Sequence, residues 1–232
     1  MNGDELKKSE EAFNWVKINH NKIIEKFAGE AEYVSDIQPV TLFMAGSPGA
    51  GKTEISKRFI ARFKQKPIRI DADEIRTICD GYSGENSHLF QKAATKGVNI
   101  LYDYALDKNI NVILDGTFAY GKALENIKRS LNHKRKVEIF FVYQDPLQAW
   151  DFTKKREVLE HRRVSKEVFV DAFFRSRENV NEAKNNFGSD IELNLVIKDF
   201  TKDLEQLELN VPSIDHYVKK VYTRDELNNL LL

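Results

Sequence analysis

The sequence predicts an α/β fold: a mostly parallel five-stranded sheet with helices on both faces, a three-layer sandwich. Three observations carry this. Short apolar runs alternate with helix-length amphipathic stretches through the middle of the chain. One of the runs, Val40–Ala45, leads straight into Gly46-Ser-Pro-Gly-Ala-Gly-Lys-Thr53 and then into a helical pattern. Other runs end in acidic residues, where an open parallel sheet places its ligands.

In chain order, residues 5–27 carry Leu6, Phe13, Val16, Ile23, Ile24 and Phe27 at helical intervals, so one or two amphipathic helices precede the first strand. They are expected to pack on the edge of the core; covering the site at the glycine-rich turn after that strand or docking a partner is the alternative. Val40–Ala45 is a near-continuous apolar run, as for a central strand buried on both faces. The helix after Lys52 buries Ile55, Phe59, Ile60 and Phe63 and stops before Pro67. Pro67-Ile-Arg-Ile70 is the second strand. Asp71 with Glu74 then reads as a capping box, which explains Asp71 and leaves Asp73 without a structural role.

A helix is expected over 87–108, and a third strand in Asn111-Val-Ile-Leu-Asp-Gly-Thr117. A helix over 122–131 and the solvated loop His133-Lys-Arg-Lys136 lead to the fourth strand, Val137–Tyr143. Asp145-Pro146 opens a helix with proline in its first turn, where its missing N–H costs nothing. Ser165 caps another helix that Gly188 ends. Residues 191–197 alternate as a fifth, edge-like strand, and Thr223-Arg-Asp-Glu226 is a capping box before an apolar helix over 227–232.

The chain has 232 residues, 41% hydrophobic and 31% charged, enough for one substantial core. Its formal net charge is zero, so no broad electrostatic footprint for nucleic acid is indicated. The lone Cys79 cannot form an intrachain disulfide, and a reducing compartment is the simplest setting. The first residues are polar and acidic, and no apolar run approaches membrane-spanning length; a cytoplasmic protein with no membrane partner is expected.

The segment Gly46 to Thr53 is G-x-x-x-x-G-K-T between strand and helix, the phosphate-binding loop in its required setting. Gly46, Gly49 and Gly51 let the backbone curl so that its N–H groups reach phosphate oxygens, with Ser47, Pro48 and Ala50 completing the curl and Glu54 following it. Lys52 is expected near the β and γ phosphates of ATP, and the Thr53 hydroxyl on Mg²⁺. Asp115 at the end of an apolar strand is the loose form of the second nucleotide-site motif. On the helix after Asp145, positions seven apart share a face, so Arg156 and Arg163 are expected to point together and Arg162 away. Two guanidinium groups on one face suit a transferring phosphoryl group. Domains follow as an N-terminal helical segment, 1–38, and a P-loop NTPase domain, 39–232, with a helical lid near 145–187.

The ordered combination of the phosphate loop, Ile70-Asp-Ala-Asp-Glu-Ile-Arg76, Asp115-Gly-Thr117 and the segment from Arg156 to Arg163 resembles the zeta toxins, roughly from Val40 to Lys198. The resemblance implies a fold akin to nucleoside monophosphate kinases and transfer of phosphate from ATP to the 3′-hydroxyl of the sugar in UDP-N-acetylglucosamine. It implies Asp73 as general base, Lys52, Arg156 and Arg163 as charge stabilisers, Thr53 as Mg²⁺ ligand, and Asp115, Thr117 and Arg76 on the nucleotide-sugar side. Asp115 stands where the family often has Glu. A small helical antitoxin is the implied partner, to which the first forty residues are expected to contribute or which they mimic. Phosphorylation of another small hydroxyl compound (an antibiotic, a nucleotide cofactor or a polynucleotide end) and a nucleotide-dependent switch are the competing readings. No Asn-Lys-x-Asp segment follows the fourth strand and no Ser-Gly-Gly signature is present, which argues against a GTP switch and a transporter-type ATPase.

Overall fold

The computed structural model describes residues 1–199, 204–219 and 222–231. Five parallel strands, β1 (Val40–Ala45), β2 (Ile68–Asp71), β3 (Val112–Asp115), β4 (Lys136–Gln144) and β5 (Ile191–Asp199), stand in the order β2-β3-β1-β4-β5. A sixth described strand, β6 (Leu204–Glu208), pairs antiparallel outside β5. The sheet therefore has one strand more than expected, and β5 is not its edge. The sequence of β6, Leu-Glu-Gln-Leu-Glu, is too polar to announce a core strand. It is a solvated edge of the kind antiparallel ribbons tolerate.

The chain passes from β1 to β2 and back to β3 on one side, then crosses to β4 and β5 on the other, so the carboxyl end of β1 lies at the switch point where such sheets bind ligands. The period-two alternation of β1 separates two cores. Leu42 and Met44 join Ile113, Phe140, Val142 and Val196 beneath α3 (Lys52–Ile60), which contributes Ile55 and Phe59. Phe43 and Ala45 face the larger core, shared with α1 (Gly3–Ile18), α2 (His20–Ala28), α5 (Gln91–Asp107), α6 (Ala123–Asn132) and α8 (Lys166–Phe187). The helix expected over 87–108 opens as a 3₁₀ turn, Ser87–Phe90, before α5.

The N-terminal helices bury Val16, Ile23 and Ala28 in that larger core, with α1 and α2 against α5. Below the sheet, the guanidinium of Arg135, 3% exposed, donates to Thr41 Oγ1 at 2.8 Å and to the carbonyls of Val40, Ala105 and Ile110. It thereby ties the start of β1 to the end of α5 and the turn before β3.

A third cluster anchors the helical arm. Ala149 and Trp150 of α7 (Pro146–Glu160) pack with Phe169, Val170 and Phe173 of α8 and Leu227 of α9 (Arg224–Leu230). Trp150 and Phe169 meet edge to face, centroids 5.1 Å apart. Lys166 Nζ donates to the carbonyls of Asn228 and Leu231, closing the end of α9. That helix begins at its Thr223 capping box, earlier than expected, and position 232 of the expected helix lies outside the described residues. Among the described residues no helix is long and apolar enough to cross a membrane.

Candidate active site

The phosphate loop lies where β1 ends. Gly46 and Gly49 adopt φ of 127° and 73°, angles open to glycine and strained for residues with a β-carbon. Space gives a second reason: a Cβ at Gly46 would stand 2.3 Å from the Val142 carbonyl oxygen, and at Gly49 2.0 Å from that of Ala149. The loop is thus pressed against β4 and α7 by backbone alone. Gly46 also donates its N–H to the Thr117 carbonyl at 3.1 Å, tying the loop to the turn after β3.

Within the loop, Ser47 and Ala50 are buried, while Pro48 is half-buried. Lys52, 9% exposed, turns back over the curl and donates to the Ser47 carbonyl at 2.6 Å. Burial pushes its ammonium down to about 8, against the pull of Asp115 and with the help of Arg162 and Arg156. Thr53 is half-buried at the start of α3. Glu54 is held by Lys198 at 2.6 Å, and that hydrogen bond keeps its carboxyl below the usual range.

Across the sheet end, Asp71 caps α4 (Ala72–Arg76), accepting the Asp73 N–H at 2.9 Å. Asp73 is ion-paired to both Arg76 and Arg162. Burial nonetheless outweighs Arg162, and with Asp71 nearby the Asp73 carboxyl is raised above its ordinary value. Arg76 also donates to Gln91 Oε1 at 2.5 Å, and its buried Nε has no partner among the described residues.

Arg156, Arg162 and Arg163 are not arranged as the helical spacing suggested. The helix ends at Glu160, because His161 takes a left-handed conformation with φ of 55°. Past that break, a 100° step no longer relates one residue to the next. Arg162 is the one brought onto Asp73, and Arg163, 73% exposed, stands 3.8 Å from Glu157. Arg156 is held by Glu160 at 2.9 Å. Burial works against its charge, but Glu160, Asp73 and Asp71 keep the guanidinium above its ordinary value.

Asp115, 8% exposed, takes a hydrogen bond from Ser56 Oγ of α3 at 2.7 Å and another from Arg69 Nη1 at 2.5 Å. It therefore faces the phosphate-loop helix and β2. Thr117 is half-buried and accepts the Ala119 N–H at 3.3 Å through its hydroxyl, within a turn where Phe118 has φ of 60°. Asn179 of α8 donates to the Phe118 carbonyl at 2.7 Å. Sequence reasoning missed Arg69, Arg162 and Ser56. Arg69 reads as the polar half of a strand, and the arginine after a helix break carries no periodic signal.

The glycine cradle, the buried lysine and a hydroxyl at the head of α3 fit a magnesium nucleotide: amides and ammonium for the triphosphate, Thr53 for the metal.

The family model described as zeta toxin matches residues 24–205. A solved structure of the PezAT chromosomal toxin–antitoxin system of Streptococcus pneumoniae superposes with a TM-score of 0.64 at 14% identity, covering 100% of this chain and 88% of that one. The AvrRxo1-ORF1:AvrRxo1-ORF2 complex with sulphate ions gives a TM-score of 0.61 at 14% identity, over 92% of this chain and 71% of that one. The same complex with ATP gives the same figures. At such identity the likeness to these structures is one of fold. No match is found among curated proteins. Since the family model spans most of its length, from α2 to β6, the chain belongs to the zeta toxin family.

Proposed function

We propose that the protein is an ATP-dependent phosphotransferase that moves the γ-phosphate onto a hydroxyl of a small acceptor, a nucleotide sugar of the UDP-N-acetylglucosamine type being the acceptor tested first. The observation that carries this is Asp73: a largely buried carboxylate at the carboxyl end of β2, raised in pKa, paired with two arginines and on the same sheet end as the phosphate loop. A raised carboxyl, once ionised, is a better proton acceptor than an exposed one. A structural aspartate would have capped the helix, and Asp71 already does so.

Bound magnesium nucleotide supplies the electrophilic phosphorus. The loop amides and Lys52 would hold the triphosphate, and Thr53 would offer its hydroxyl to the metal. Asp73 accepts the proton of the acceptor hydroxyl, which requires that Arg162 shift from Asp73 toward the phosphates. Arg162, rather than Arg163, then offers the lid's charge to the transferring group, with Arg156 beside it; Arg76 remains to orient Asp73. Such preorganised cations and aligned reactants supply most of the rate in phosphoryl transfer. The solved relatives in fold come from toxin–antitoxin and two-component complexes, and an antitoxin that restrains this enzyme is the proposed partner.

Incubation of purified protein with magnesium ATP and UDP-N-acetylglucosamine, read by mass spectrometry, is expected to add one phosphate to the nucleotide sugar, and Asp73→Asn to abolish the gain. Phosphate released to water alone, with the sugar unchanged and Asp73→Asn equally active, would overturn the reading.

A further inference from the structure

The register of β2 and β3 sets Asp71 directly opposite Asp115 on neighbouring parallel strands. Strands there are about 4.8 Å apart, so two ionised carboxylates on one sheet face repel unless something lies between them. Arg69 is that group. Two residues before Asp71, it shares the face, and its Nη1 donates to Asp71 at 3.0 Å and to Asp115 at 2.5 Å while Nη2 pairs with Glu74. Counted by side chain alone, all three inner groups are nearly shut off from water: Arg69 8%, Asp71 12% and Asp115 2% exposed.

Each carboxylate has a second attachment. The other oxygen of Asp71 caps α4, the helix that carries Asp73. Asp115 takes the Ser56 hydroxyl of α3, the helix that begins with Lys52 and Thr53. A continuous chain of hydrogen bonds therefore runs from α4 through Asp71, Arg69, Asp115 and Ser56 to α3. One nitrogen, Nη1, serves both aspartates while Nη2 is tied to Glu74, so the rigid guanidinium plane holds Nη1 in place; a lysine ammonium could carry the charge but has no such second anchor.

We propose that Arg69 is a positioning residue that fixes the spacing between the Asp73 helix and the phosphate-loop helix by holding Asp71 and Asp115 together. Its catalytic consequence rests on the phosphotransferase reading; its effect on Asp115 does not. Reacting groups displaced by a fraction of an ångström lose much of the benefit of alignment, so the effect belongs on kcat rather than on nucleotide binding.

The test separates charge from position. Arg69→Met leaves Asp71 facing Asp115 and is expected to lower the melting temperature. Arg69→Met with Asp71→Asn removes the repulsion, keeps a capping side chain at position 71, and is expected to recover it. In both, kcat is expected to fall about a hundredfold while KM for ATP stays within about threefold. Arg69→Lys, which carries the test if Arg69→Met does not fold, is expected to melt near the wild type yet lose kcat about tenfold. Recovery of kcat with the melting temperature in the double variant, or full turnover in Arg69→Lys, would overturn the proposal. A crystal structure of the double variant decides independently of activity. Asp115 turned off Ser56 supports the proposal, and the wild-type pose overturns it, even if the wild type proves to have no phosphotransferase activity and the reading above fails.

Discussion

Gly49→Ala puts a single methyl where the phosphate loop is pressed on α7. The new Cβ would lie 2.0 Å from the Ala149 carbonyl oxygen and 2.7 Å from Thr153 Oγ1, at a φ of +73°. The left-handed backbone alone costs roughly 1–2 kcal/mol with a β-carbon. Relieving the overlap adds roughly 1–3 kcal/mol, as overpacked sites do. The helix side cannot give easily, since Thr153 is buried and donates to that same Ala149 carbonyl at 2.8 Å. The loop must move instead. Even the low end of the sum, about 2 kcal/mol, spent wholly on displacing the loop weakens magnesium ATP binding about thirtyfold. Titration calorimetry measures the affinity and thermal unfolding the remainder. Gly121→Ala is the control, because a Cβ there meets nothing within 4 Å. A Gly49→Ala protein with unchanged affinity and unchanged melting temperature would refute the packing of loop on α7.

The remaining tests follow from the charges. Burial raises the Asp73 carboxyl, so its ionised form costs the fold stability that is present below the unfolded value of about 3.8 and lost as pH rises through the folded one. Asp73→Asn is therefore expected to melt no lower than the wild type at pH 7, with the difference closing in acid; a markedly less stable variant would mean that the arginine pairs outweigh burial. Lys52, pushed down to about 8, should gain a proton when triphosphate binds near that pH. Calorimetry in buffers of different ionisation enthalpy at pH 8 is expected to show proton uptake on nucleotide binding, and its absence would place Lys52 away from the phosphates. Arg162→Ala should lower kcat about a hundredfold and Arg163→Ala less than about threefold, since of these two Arg162 is the one on Asp73. Equal losses would mean that the lid rearranges to use both.

Much of this was legible because it is local. A strand, a glycine curl and a helix start within fourteen residues, Val40 to Thr53, and each step has its own chemical signature. The parallel order followed from apolar runs buried on both faces. What escaped depended on distant partners or on a break in periodicity. Residues 204–208 became a strand only by pairing with β5. Arg162 and Arg163 exchanged expected places because His161 leaves the helix. Arg69 looked like an ordinary outward residue of an alternating strand, and only the pairing of Asp71 with Asp115 gives it three carboxylates. Asp115 was read as the second nucleotide-site motif and, by resemblance, toward the acceptor; its bonds to Ser56 and Arg69 are partners that the sequence does not announce.

The most direct test of the central claim is calorimetric titration of the full chain with magnesium ATP, beside a Lys52→Ala variant. One binding site in the wild type that is lost or greatly weakened in the variant is the expected result. No measurable binding to folded wild-type protein at millimolar nucleotide would contradict it.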